Sequence, residues 1–121
     1  DYGYEFKKNI NTLQSVMGHK YNDINKNIGN ADITSLVNFK LYKEYFNSNN
    51  LFVEKIITQS EFLQKMGIIE RVKIASNKMN FKEKTNLYLR LKRLIDAKLM
   101  GKDFKVIFAK NKKCNFSLAF K

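Results

Sequence analysis

The chain is poor in the residue types from which most active sites are built. Its 121 residues include one cysteine, Cys114, and one histidine, His19. A single thiol excludes an internal disulfide and suits a reducing compartment. One His with one distant Cys cannot complete a zinc site, so metal chemistry is not expected. The five glycines stand at 3, 18, 29, 67 and 101, too far apart for a glycine-rich phosphate loop. Neither a Gly-x-Ser-x-Gly elbow nor a paired-histidine motif occurs. No stretch approaches the roughly 20 apolar residues that span a bilayer. Nothing at the start has the basic-then-apolar order of a signal peptide.

Arginine is scarce as well. Twenty of the 23 cations are lysine, and asparagine occurs fifteen times. The formal net charge of +12 would ordinarily suggest a polyanion partner. Lys and Asn share AA-starting codons, however, so an AT-rich genome produces this bias without selection for nucleic acid. Arginine, the residue that forks onto phosphate and reads bases, is nearly absent. A basic nucleic-acid binder is therefore the weakest of the functional readings. Against these absences stand a 44% hydrophobic and a 13% aromatic fraction, which argue for one globular domain or part of one.

In chain order, Asp1 to Tyr4 reads as the end of a strand turning at Gly3. Open α/β sheets place ligand and catalytic groups at such carboxyl ends, so Asp1 is a weak catalytic candidate. A start inside an element leads us to expect a fragment or one half of a split protein. Lys7 to Asn11 is expected to be loop. Around His19 the lone imidazole is either a surface or hydrogen-bonded residue, or a substrate contact. Tyr21 to Asn30 reads as an irregular loop. Asp32 or Thr34 is expected to cap a helix reaching about Asn47, with Val37, Leu41, Tyr45 and Phe46 as its apolar stripe. Leu51 to Ile57 reads as a strand on which that helix packs.

Thr58 and Glu61 have capping-box spacing, and Gly67 supplies the left-handed residue that ends the short helix behind them. A second short helix is expected around Ile68, Val72 and Ala75. Asn80 with Glu83 opens another, whose stripe Leu87, Leu91, Leu94, Ile95 and Leu99 runs to Gly101. Its cations Arg90, Lys92 and Arg93 form a solvated face. Phe104 to Lys110 alternates as a strand, Asn111 to Lys113 turns the chain, and Cys114 to Lys121 alternates again. A terminal hairpin with a buried Cys114 is the expectation for this end.

Four segments in sequence resemble a known family. They are Asp1-Tyr2-Gly3-Tyr4 with Thr12-Leu13-Gln14 and His19, and Gly29-Asn30-Ala31-Asp32-Ile33-Thr34 with Val37-Asn38-Phe39. The others are Thr58-Gln59, Phe62-Leu63, Met66-Gly67-Ile68 and Arg71, and Arg93-Leu94-Ile95-Asp96 with Met100-Gly101 and Phe104-Lys105-Val106. Over about residues 1–110 their order is similar to the C-terminal half of the MidA family of class I S-adenosylmethionine-dependent methyltransferases. That family includes a mitochondrial complex I assembly factor that methylates protein arginine. The family's His and Asp in the second segment are Leu36 and Asn38 here, which bears on substrate choice.

The resemblance implies a truncated Rossmann-like α/β sheet carrying the end of strand 5 and strands 6 and 7, within one incomplete domain over residues 1–121. Residues 111–121 would be a tail or extra strand. It implies S-adenosyl-L-methionine as cofactor, bound mainly by an N-terminal half that also acts as partner, and a protein substrate. Tyr4, Gln14, His19, Asp32, Thr34 and Gln59 become substrate-binding candidates, with no cofactor-binding residue in this chain. The compartment would be bacterial cytoplasm or mitochondrial matrix. Alone, the chain is expected to be inactive; a non-catalytic remnant binding a protein partner is the alternative.

Overall fold

The computed structural model describes residues 2–5 and 11–120. Asp1 and most of the expected loop from Lys7 to Asn11 lie outside the described residues. The elements run β1 (Gly3–Tyr4), β2 (Gln14–Met17), β3 (Lys20–Asn22), β4 (Asp32–Thr34), β5 (Val37–Asn38) and α1 (Phe39–Ser48). They continue with β6 (Leu51–Val53), β7 (Ile57–Thr58), α2 (Gln59–Lys65), α3 (Ile68–Ser76), α4 (Phe81–Ile95), α5 (Met100–Asp103), β8 (Lys105–Val106) and β9 (Ala109–Asn111). No helix is long and apolar enough to cross a membrane among the described residues.

The sheet is assembled from strands distant in sequence. β1 pairs with β5 in parallel, and the Val37 amide donates to the Tyr2 carbonyl at 2.9 Å. On its other side Tyr2 makes an antiparallel bridge to Phe104. β8 then pairs antiparallel with β7, and β9 with β6. Segment 104–111 thus runs between the first strand and segment 51–58, and the adjacency expected of these three segments is present. Each later segment is split into two short ladders. The Glu54 amide donates to the Phe108 carbonyl at 3.0 Å and carries the pairing across the gap.

Helix starts follow local chemistry. Thr58 and Glu61 form the full capping box of α2, and Asn80 and Glu83 that of α4. Each satisfies two amide donors that helix geometry orphans, and losing such a cap costs about 1 kcal/mol. Gly67, at φ 79°, joins α2 to α3 in the left-handed conformation. α2, α3, α4 and α5 pack on one another, while α1 lies against β6 and β1. Phe39, Val53, Ile57, Val72, Leu91 and Ala119 are buried.

Three expectations for the helices are corrected. The helix after the Asn-rich loop is capped by Asn38, whose Oδ1 accepts from the Leu41 amide at 3.1 Å, not by Asp32 or Thr34. Those two residues are in β4, where ladder pairing overrides their capping preference. The proposed stripe of α1 also fails: Phe39 is its buried anchor, while Leu41 and Tyr45 are 60% and 61% exposed. α4 ends at Ile95, not Gly101. A Cβ at Gly101 would meet the carbonyls of Ile95 and Asp96, so the chain doubles back there too tightly for a continuing helix.

The expected terminal hairpin is absent, because segment 104–111 finds its partner in 51–58. Residues 114–120 form no strand, and Cys114 is exposed rather than buried. The aromatic alternation that suggested a strand instead folds the tail over the body. The Phe120 ring lies 5.2 Å from Phe108 and 5.9 Å from Phe62, and Phe116 meets Phe108 edge-on at 5.8 Å. Lys110 fastens the tail, with Nζ 2.6 Å from Glu54 Oε1 and 3.0 Å from the Phe116 carbonyl.

Candidate functional site

Between β1 and α1 the chain builds a three-stranded antiparallel arm in the order β3-β2-β4. Its tip is a two-residue turn in which Gly18 and His19 both have positive φ, 56° and 63°. That is the geometry of the turn whose twist matches paired strands, and glycine is the residue that enters it most easily. His19 is thus a turn residue, displayed at the tip. Tyr21 and Asn22, expected in the irregular loop, belong to β3, and the loop starts after them.

Strand alternation gives the arm two unlike faces. On one, Ser15 is buried, and the Asn22 amide nitrogen donates to its hydroxyl at 3.2 Å. The same nitrogen reaches the carbonyls of Asp23 and Lys26 at 2.9 Å, and the Asn27 amide donates to Asn22 Oδ1 at 3.0 Å. Asn22 therefore ties the Asn-rich loop to the arm. The other face carries Gln14 opposite Thr34, and Val16 opposite both Tyr21 and Asp32.

That second face forms one wall of an open groove of about 890 Å³, whose other margin includes Tyr2 and Leu36 beside β1. The Leu36 amide, donating to Thr12 Oγ1 at 3.1 Å, closes the base of the arm. Four of the candidates taken from sequence, Gln14, His19, Asp32 and Thr34, line this one groove. Two do not line it. Tyr4 is half-buried in β1 opposite Asn38. Gln59 spends its side chain on the fold: Nε2 donates to the Leu94 carbonyl at 2.9 Å, beside Ser60 Oγ, which donates to the Ile95 carbonyl at 2.7 Å. Tyr2, Tyr21 and Asn11 also line the groove and were missed; the alternation from Gln14 to Asn22 about Gly18 was the signal for Tyr21.

The groove joins a carboxylate, an imidazole, two phenols and neutral amides and hydroxyls. Such groups can hold and orient a polar acceptor. No cluster of three or more His, Cys, Asp or Glu suited to a metal ion occurs among the described residues.

The chain resembles known proteins in part of its sequence and in its fold. Residues 1–57 match a family model described as "Putative S-adenosyl-L-methionine-dependent methyltransferase". The match therefore takes in β1, the arm, α1 and β6. Two solved structures from Burkholderia thailandensis, of one superfamily, superpose on 98% of the chain, each with a TM-score of 0.77. One is an uncharacterised protein, 23% identical. The other, 21% identical, is described as a "likely methyl transferase" bound to S-adenosyl-homocysteine. The chain has the mixed α/β fold of these structures and spans about a third of their length, 33% and 32%.

Proposed function

We propose that the chain supplies the acceptor-side part of an S-adenosylmethionine-dependent methyltransferase, as the C-terminal portion of a Rossmann-like domain of MidA type. The observation that carries this reading is the position of the groove. It opens beside Tyr2 at the first strand and is lined by Asn11 and Thr12 ahead of the arm, on a fold that superposes with a protein bound to S-adenosyl-homocysteine. The family match over residues 1–57, which includes every described residue lining the groove, supports the same assignment. The acceptor is a protein side chain, with arginine the one the family resemblance implies, and assembly of respiratory complex I the setting it suggests.

On this reading the cofactor's own pocket is built mainly outside residues 1–121. A dinucleotide-type site draws a run of backbone amides from a glycine-rich turn and a carboxylate for the ribose. Here the glycines with positive φ are isolated, at the arm tip (Gly18), in the Asn-rich loop (Gly29) and between two helices (Gly67). Among the described residues lining the groove the one carboxylate is Asp32, on the arm. Cofactor binding is therefore assigned to the remaining two-thirds of the fold, as a partner in cis or in trans.

In the acceptor groove, Gln14, His19, Asp32 and Thr34 bind and orient the side chain to be methylated. Catalysis of this kind rests on alignment, where holding the acceptor in line removes an entropic barrier. The test is transfer of a labelled methyl group to protein acceptors by the chain joined to the rest of the fold. Label in arginine residues supports the reading. Complete inactivity of the joined, folded protein toward every protein acceptor sinks it, and leaves a partner-binding role.

A further inference from the structure

We infer that the outward face of α4 docks on a membrane surface rich in anionic lipid, lying on it and not crossing it. The helix carries five cations, Lys82, Lys84, Arg90, Lys92 and Arg93, and one acid, Glu83. Glu83 is held in the capping box, where its carboxylate accepts from the Asn80 amide at 3.0 Å. Lysine is spread along the whole chain, and its composition alone accounts for it. Arginine is not spread. The chain's three, Arg71, Arg90 and Arg93, are all exposed and all lie on α3 and α4, which pack against each other. A guanidinium forks onto phosphate oxygens with two parallel hydrogen bonds, so the side chain best suited to phosphate is concentrated here.

Helical period supplies the second argument. At about 100° per residue, Leu87, Leu91 and Leu94 share the inner side of α4, where Leu91 is buried. The opposite side is centred on Leu89 between Lys82 and Arg93, with Phe81, Lys92 and Arg90 on its borders. Phe81 is 86% exposed and Leu89 60%, although the inner stripe already packs α4 against α2, α3 and α5. Apolar side chains among cations on one face decide between kinds of polyanion. A nucleic acid would take the cations and leave a leucine unused at the centre of the contact. A bilayer surface uses both: headgroup phosphates take the cations, and Leu89 and Phe81 enter the boundary between headgroups and acyl chains. The long cationic side chains reach the headgroups while their stems stay in the apolar layer. The inference is independent of the methyltransferase reading, since the described residues lining the acceptor groove end at Leu36.

The experiment is flotation with lipid vesicles, of phosphatidylcholine alone or with one lipid in three replaced by phosphatidylglycerol. It is run on the 121-residue chain and on the same chain joined to the remainder of the fold. Both proteins are expected to float with the anionic vesicles only, and to be released as salt rises. Replacing any one of Lys82, Arg90, Lys92 and Arg93 by Gln should weaken binding about fivefold. Phe81→Ser with Leu89→Ser keeps the charge and should weaken it about tenfold. The chain has no tryptophan, so Phe81→Trp gives it a single indole. Its emission should move to the blue on anionic vesicles and not on a single-stranded oligonucleotide. Melting followed by circular dichroism shows that each variant folds. Equal flotation with phosphatidylcholine alone, no flotation at low salt, or binding undiminished by the Phe81 and Leu89 replacements overturns the proposal. So does an oligonucleotide bound more tightly than the vesicles. Flotation of the 121-residue chain but not of the joined protein also overturns it, since the rest of the fold then covers this face.

Discussion

Replacing Gly3 with alanine is the sharpest test of how the groove is held. A Cβ at Gly3 would stand 2.5 Å from the Val37 carbonyl oxygen and press into the Phe39 ring. The ring is 4% exposed and anchors α1, and the carbonyl belongs to the β1–β5 ladder. Neither partner is the loose end of a flexible side chain, so relief requires the ladder or the helix to move. Overpacking of this kind costs about 1–3 kcal/mol. The lost backbone freedom of the unfolded chain returns less than 1 kcal/mol of that. For a domain of this length each kcal/mol lowers the melting temperature by roughly 4 °C, so Gly3→Ala should melt about 2–10 °C lower by circular dichroism. Phe39→Leu in the same chain removes the ring but not the carbonyl. The double variant should therefore remain less stable than Phe39→Leu alone. A Gly3→Ala protein as stable as the parent would refute the close approach, and with it the position given to Tyr2.

Two further outcomes follow from local geometry. The Thr58 amide bonded to Glu61 holds that carboxyl below its ordinary value of 4.5. A lowered folded-state pKa means the contribution is complete above the unfolded value and is lost as pH falls through the folded one. Thr58→Ala should cost about 1 kcal/mol near neutrality, and Glu61→Gln should flatten the acid limb of the stability profile below about pH 4.5; an unchanged acid limb would count against the cap. His19 holds a left-handed turn position, so His19→Asn should leave the arm intact and His19→Val should loosen it by about 1–2 kcal/mol. Hydrogen exchange at residues 14–22 measures this, and equal protection in both variants would deny His19 its turn role.

What was legible in the chain was what local chemistry decides. Thr58 with Glu61, Asn80 with Glu83, and Gly67 are short-range devices, and each appears where its spacing puts it. The alternation of Phe104–Lys110 and the apolar run Leu51–Ile57 also became ladders, since both had to bury the same short segments. The failures share a different cause. Whether Asp32 caps a helix or enters a strand depends on Val16, sixteen residues earlier, as its ladder partner. Whether Phe116 and Phe120 alternate in a hairpin or stack on Phe108 depends on which strand has already claimed segment 104–111. Exposure of Leu41 and Tyr45 on α1 could not be read from periodicity, because it depends on what packs against that helix. At the groove, family resemblance supplied Gln14, His19, Asp32 and Thr34, whereas Tyr2 and Tyr21 needed the register of the arm. Gln59 shows the converse: a polar residue in a family motif whose side chain is engaged in joining two helices.

The most direct measurement is calorimetric titration of S-adenosylmethionine into residues 1–121 alone and into the same chain joined to the remainder of the fold. No binding heat is expected from the former, and saturable binding from the latter. Micromolar binding by the 121 residues alone would contradict it, because the donor pocket would then be built from groups assigned here to the acceptor side.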